Sequence, residues 1–150
     1  MIAYATQAST TRAVEWLLAC LLIAWGVGVL LPGIVLDGDI YAPLVALAPE
    51  VAWGNFAVAV GSLRVGALYI NGSWRRTPIL RAIGAGLGVV WWIVLGGLYV
   101  VAVNQGAKPF PFIMAYPVFV YFELLSMYRC GVDMNEMGAL RRARRGDGSA

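Results

Sequence analysis

The sequence has no histidine and only two cysteines, Cys20 and Cys130. Without histidine, the chain lacks the usual protein ligand of haem iron and the commonest general base of enzymes. Two cysteines in or beside apolar runs form neither a disulfide framework nor a metal-binding spacing, so both are predicted to be small buried hydrophobic residues. We therefore expect a protein that is not an enzyme and that holds no metal and no cofactor.

Charge is scarce as well. Only 13% of the 150 residues are charged and 61% are hydrophobic, whereas an ordinary soluble domain has about 25% charged residues. A soluble domain of this length could not bury so much apolar surface, so the composition predicts an integral membrane protein. The first apolar run is longer than a signal-peptide core and lacks a small-residue cleavage site after it, which predicts a retained span.

Four apolar segments are long enough to cross the hydrocarbon core of a bilayer as helices. They cover about residues 13–31, 51–70, 82–103 and 112–131. The sequence therefore predicts an all-α integral membrane protein, a four-helix transmembrane bundle in residues 1–131, followed by a basic cytoplasmic tail in 132–150. The acidic connector Gly33–Glu50 leaves room for a short surface helix at Ala42–Leu47.

Basic residues set the predicted orientation. With both termini in the cytoplasm, ten of the eleven basic residues lie at the inner side and only Lys108 lies outside, as the positive-inside rule requires. We predict a multi-pass protein of a bacterial inner membrane with no nucleic-acid partner. The arginines expected to bind anionic lipid headgroups or to fix topology are Arg75, Arg76, Arg81, Arg141, Arg142, Arg144 and Arg145.

Arg64 lies well inside the second span, where an ionisable residue needs a partner or a water-filled cavity. It lies roughly 10 Å from the inner end of span two, and Glu123 lies roughly 9 Å from the inner end of span four, at 1.5 Å per residue. The equal depth predicts a buried Arg64–Glu123 ion pair, with the shallower Glu15 as a second partner or an interfacial carboxylate. A snorkelling arginine and a functional proton or substrate site stay open as alternatives.

Small residues recur at spacings that let membrane helices approach closely. In span three they are Gly84, Gly88 and Gly96, and in span two they are Ala57 and Gly61. Two interpretations are open: packing inside one monomer, or a face through which copies of the chain associate.

A recognisable pattern covers most of the chain. Tyr41 to Leu47 is an aromatic and leucine-containing segment, Ala48–Gly54 reads APEVAWG, and an arginine-bearing loop follows span two. This pattern resembles small four-span membrane proteins of bacteriophages and prophages. The resemblance implies a phage-encoded protein of the host inner membrane, or of a virion that contacts that membrane, and it assigns no catalytic residue.

Four classes of function follow from these observations. The first is a non-enzymatic structural or interaction protein whose partners are the bilayer, further copies of itself, or other phage or host membrane proteins. The second is a holin-like pore or lesion former, favoured by the glycines of span three and the basic tail. The third is a small transporter, because compact four-helix exporters carry a carboxylate in span one, where this chain has Glu15. A membrane enzyme is the least favoured.

Overall fold

The computed structural model describes residues 2–33, 36–70 and 77–146. Their helices are α1 (Ile2–Leu30), α2 (Ala42–Leu47), α3 (Glu50–Tyr69), α4 (Thr77–Asn104), a 3₁₀ turn (Pro111–Met114) and α5 (Ala115–Gly146). Within these residues there is no strand, and four helices are long and apolar enough to span a membrane. The prediction of an all-α protein with four membrane spans is confirmed, whereas the cytoplasmic location of both termini stays a prediction.

Two helices are longer than the predicted spans. The apolar part of α1 is Arg12–Leu30, but the helix already begins at Ile2. The apolar part of α5 ends at Asn135, but the helix continues through most of the predicted tail to Gly146. Alanine, leucine, methionine and arginine dominate the end of α5, and all four are strong helix formers.

The bundle consists of two helix pairs. Helix α1 packs most extensively against α3, and α4 against α5, while α3 and α4 join the two pairs. Between α1 and α3 the backbones approach closely, because a Cβ atom added at Gly26 would lie 2.7 Å from the Gly54 carbonyl oxygen. Small residues at such crossings give membrane helices their van der Waals contact. We call α1 with α3 the first pair and α4 with α5 the second pair.

The connector between α1 and α3 is tied to the bundle. Leu44 of α2 is fully buried, and α2 packs against α4. The Trp53 indole N–H donates to the carbonyl oxygens of Leu44 at 3.0 Å and of Ala48 at 3.1 Å. Glu50 Oε1 accepts a hydrogen bond from the backbone N–H of Leu36 at 2.9 Å. The short helix expected at Ala42–Leu47 is present, and its contact with α4 makes it part of the bundle.

The α4–α5 turn shows how one glycine ends a helix. Gly106 has a φ of 101°, a conformation that side-chain-bearing residues avoid. Its N–H donates to the Val103 carbonyl oxygen, and the Ala107 N–H donates to the Ala102 carbonyl oxygen, both at 3.0 Å. These two bonds form a Schellman cap. Helix α4 therefore stops at the predicted turn.

Candidate functional site

Arg64 and Glu123 form a bidentate ion pair between α3 and α5. Arg64 Nη1 donates to Glu123 Oε1, and Arg64 Nη2 donates to Glu123 Oε2 at 2.7 Å. The side chains are 4% and 0% exposed. A carboxylate accepts two parallel N–H groups of a guanidinium with good geometry, so both charges are satisfied without water. The structure thus brings together the two residues that depth counting had matched.

Two glycines of α4 make room for this ion pair. A Cβ atom added at Gly84 would lie 2.8 Å from Arg64 Cγ, and one added at Gly88 would overlap Glu123 Oε1 and lie 2.8 Å from Arg64 Nη1. Such approaches are closer than a methyl group permits, so both positions accommodate the charged side chains only as glycine. Of the two interpretations of this glycine pattern, the contacts at Gly84 and Gly88 correspond to packing inside the monomer.

A second buried ion pair joins α1 to α4. Arg81 Nε donates to Glu15 Oε2 at 2.9 Å, and Arg81 Nη2 donates to Glu15 Oε1 at 2.7 Å. The Ser126 hydroxyl of α5 donates to Glu15 Oε1 at 2.8 Å. Glu15, Arg81 and Ser126 are 3%, 7% and 2% exposed. We call Glu15, Arg64, Arg81 and Glu123 the charge cluster.

This second pair corrects two sequence-based assignments. Glu15 was considered as a partner for Arg64 or as an interfacial carboxylate, but its partner is Arg81. The sequence places Arg81 among the arginines that bind lipid headgroups or fix topology; its side chain is buried inside the bundle, so the headgroup contact is wrong for Arg81. Helix α4 begins at Thr77 and not at residue 82, so Arg81 lies more than one helical turn inside it and turns toward α1.

Asp133 and Cys130 lie at the edge of the charge cluster. Arg81 Nη1 donates to Asp133 Oδ2 at 3.3 Å, and the Asp133 side chain is 47% exposed. Cys130 is fully buried near Arg81 and Glu15. Cys20 is exposed on α1, so the expectation that both cysteines are buried is wrong for Cys20. A small residue on the outer face of a membrane helix contacts lipid at little cost.

The other predicted small-residue contacts also lie between helices. Ala57 is fully buried on α3. A Cβ atom at Gly61 would lie 2.9 Å from the Ala19 carbonyl oxygen of α1, and one at Gly96 would lie 3.2 Å from Tyr116 Cβ of α5. The Gly26–Gly54 approach was missed, because it appears only when the facing helix is known.

The remaining predicted arginines fall partly outside the described residues. Arg75 and Arg76 lie outside them entirely. The other four occupy the last turns of α5, where the backbone is described and the side chains are not; they are Arg141, Arg142, Arg144 and Arg145.

The half of the bundle opposite the charge cluster is aromatic. The ring of Trp91 contacts Trp25, Trp53 and Phe56, with centroids 5.1, 5.6 and 5.4 Å away. Trp92, which adjoins it in α4, has its ring centroid 4.8 Å from that of Phe119. Trp91 and Trp92 are 3% and 2% exposed. We call these rings, with those of Tyr41, Tyr99 and Tyr116, the aromatic half.

The chemistry available to the charge cluster is limited by its own pairing. Two cations face two anions, and each carboxylate accepts from an arginine through both oxygens. Among the described residues, no group of three or more histidine, cysteine, aspartate or glutamate side chains could hold a metal ion. A shallow cavity of about 340 Å³ lies at the other end, beside Asp39, Ala42 and Gln105. The charge cluster therefore joins α1 to α4 and α3 to α5 through buried, paired charges.

The structure and the sequence define a multi-pass helical membrane protein with internally paired charges. Comparisons with protein families, with curated proteins and with solved structures found no match for this chain.

Proposed function

We propose that the chain is a non-enzymatic protein of a bacterial inner membrane, encoded by a phage or prophage, with a structural or interaction role at that membrane. The observation that carries the non-enzymatic role is the pairing of all four charges of the cluster within one chain, while the phage origin rests on the sequence resemblance. A substrate, a transferred proton or a metal would have to compete with a bidentate arginine for each of these buried carboxylates.

The same pairing argues against a transporter. A carboxylate in span one serves coupled export only when it can exchange a proton or a cationic substrate. Glu15 is 3% exposed and is held by Arg81 and Ser126. Opening this site would leave the buried Arg81 with only its 3.3 Å contact to the half-exposed Asp133, and loss of a buried partner costs up to about 3–5 kcal/mol.

The glycine contacts argue against a holin-like lesion built on α4. Such a lesion would use Gly84 and Gly88 to associate with further copies. Both glycines face Arg64 and Glu123 inside the monomer, so that face is already occupied. The basic end of α5 fits a cytoplasmic location through the positive-inside rule, which supports the proposed orientation.

Induced expression in a bacterial host tests the proposal. Growth and membrane potential are followed together, with an inactive soluble protein expressed at the same level as the control. We expect normal growth, an unchanged potential and accumulation in the inner membrane. An abrupt loss of potential after a delay would overturn the proposal in favour of a lesion former. Drug or proton efflux that is lost in Glu15→Gln would overturn it in favour of a transporter.

A further inference from the structure

The outward face of α3 carries two polar side chains, Asn55 and Ser62. The buried face of α3 contains Gly54, Ala57, Val60, Gly61, Arg64, Ala67 and Leu68. On the opposite side, residues recur at alternating spacings of three and four, the pattern of a helix–helix seam. We call this set the α3 stripe; it consists of Ala52, Asn55, Ala59, Ser62, Gly66 and Tyr69. All are exposed except Gly66, which is half-buried.

The polar members of the α3 stripe have no partner within the described chain. Neither Asn55 nor Ser62 hydrogen-bonds through its side chain to any described residue. Asn55 follows Glu50, the first residue of α3, by five residues, so it lies about 7–8 Å along the helix. Since α3 is about as long as the hydrocarbon core is thick, Asn55 lies within that core. A serine hydroxyl can bond to a carbonyl of its own helix, but a carboxamide in lipid needs an external donor and acceptor.

The exposed face of α4 provides the contrast. Its exposed side chains are mostly large and apolar, including Ile83, Val90 and Ile93, and the exposed Gly97 is the small exception. On α3, the exposed Phe56 and Leu63 lie beside the stripe, whereas the stripe itself is small or polar between its two ends. Gly66 has nothing within 4 Å of an added Cβ atom, so it leaves open space on the stripe that a second helix can fill.

From these observations we propose that the α3 stripe is the interface with a second copy of this chain, in which Asn55 of each copy hydrogen-bonds to Asn55 of the other. Copies inserted in one membrane have the same orientation, so two α3 helices meet in parallel and each residue faces its own counterpart across a two-fold axis. A carboxamide is self-complementary because it carries both a donor and an acceptor. The alternating spacing predicts a left-handed crossing of about 20°.

This inference requires only that the chain spans a membrane in one orientation, so it stands or falls separately from the proposed function. It also differs from association through the glycines of α4, which are covered inside the monomer.

Cysteine cross-linking in membranes tests the interface. Ala59→Cys is made in a Cys20→Ala background, and Ile93→Cys on the outward face of α4 is the matched control; Cys130 is buried and stays. Oxidation is expected to give a disulfide-linked dimer at position 59 and none at position 93. The unchanged chain adds a second control, because its Cys20 is exposed on α1 and is expected to give no dimer.

Energy transfer between fluorescently tagged copies in lipid vesicles measures the same association without a new thiol. Asn55→Leu is expected to weaken dimerisation about threefold to tenfold, the value of a membrane hydrogen bond. Gly66→Leu is expected to weaken it further by steric exclusion. Gly97→Leu places the same bulk on α4, where an added Cβ atom has nothing within 4 Å, and is expected to leave dimerisation unchanged.

Several outcomes would overturn the inference. These are a monomer at all densities, dimers that form through Cys20 or position 93 and not through position 59, and equal dimerisation of Asn55→Leu and the unchanged chain. A cross-link from position 59 to a different protein, without a homodimer, would also overturn it and would assign the α3 stripe to that protein.

Discussion

The two halves of this bundle are held together by different physical means. The half with the charge cluster relies on two bidentate ion pairs, in which each partner is buried and each bond has a defined direction. The aromatic half relies on rings with centroids about 5–6 Å apart, at inclined and stacked angles. Ring contacts tolerate small sliding movements of the helices, whereas a bidentate ion pair buried between helices does not. The charge cluster therefore defines the register of the helices.

Trp92 lies where these two halves meet. Its ring packs on Phe119, and its indole N–H is near the Glu123 carboxylate without reaching hydrogen-bond geometry. A tryptophan N–H that is buried without a partner costs free energy, and a nearby carboxylate compensates part of that cost. Helix α4 therefore contributes to both halves: its glycines lie beside the charge cluster, and its tryptophans lie among the aromatic rings.

Breaking one ion pair should have the largest effect. Arg64→Leu strands Glu123, which is fully buried, and should destabilise the bundle by about 3–5 kcal/mol. Arg64→Leu combined with Glu123→Leu should recover part of that loss, because no charge is left unpaired. Unfolding by denaturing detergent, followed through the intrinsic fluorescence of the six tryptophans, measures both variants. Equal losses in the single and double variants would mean that the two residues are not energetically coupled.

Filling the space beside the ion pair should have the next largest effect. Gly88→Ala introduces a methyl group against Glu123 and Arg64, and overpacking of this kind costs about 1–3 kcal/mol. Gly97→Ala is the matched control in the same helix, since its added Cβ atom meets nothing within 4 Å. The control should be neutral, or more stable by about 0.5–1 kcal/mol through helix propensity. The same detergent unfolding assay compares the two, and indistinguishable behaviour would contradict the role given to Gly88.

At the aromatic half, removing one hydrogen-bond donor should have a smaller and more local effect. Trp53→Phe keeps a ring against Trp91 but loses the N–H that donates to Leu44 and Ala48. Loss of such a bond costs about 1 kcal/mol. Hydrogen exchange should accelerate in residues 36–48, while exchange near the charge cluster stays the same. Acceleration throughout α5 would show that the two halves are less independent than their contacts indicate.

The smallest effect is expected at the edge of the charge cluster. Asp133→Asn removes the carboxylate that Arg81 contacts at 3.3 Å, but Asp133 is 47% exposed and Arg81 keeps both bonds to Glu15. Exposed ion pairs contribute about 0–1 kcal/mol. The unfolding midpoint should therefore hardly change, in contrast to Arg64→Leu. A loss as large as that of Arg64→Leu would place Asp133 within the essential pairing.

Much of the fold can be predicted from the sequence because hydropathy and length define spans directly. The Arg64–Glu123 match followed from depth, which residue counting gives to within about one helical turn. The Arg81–Glu15 pair could not be found in this way, because positive-inside counting assigns an arginine near a span end to the headgroups. Depth alone does not give the rotation of a helix about its axis, and that rotation decides whether Arg81 faces lipid or α1.

The α3 stripe was missed for the same reason. Asn55 and Ser62 can be read from the sequence, but two polar residues in a span do not predict an interface until it is known that they lie on one exposed face. The structure gives that face by burying Arg64 and Ala57 on the opposite side. Hydropathy therefore predicts the spans of this chain, and the structure adds the rotation of each helix about its axis.

Each ion pair also joins the first helix pair to the second: Glu15 and Arg64 come from the first, and Arg81 and Glu123 from the second. The pairing of charges between the two helix pairs matters while the chain is being inserted. A nascent chain that has inserted only α1 and α3 carries Glu15 and Arg64 without the partners that α4 and α5 provide. The two ion pairs are therefore complete only when all four spans have come together.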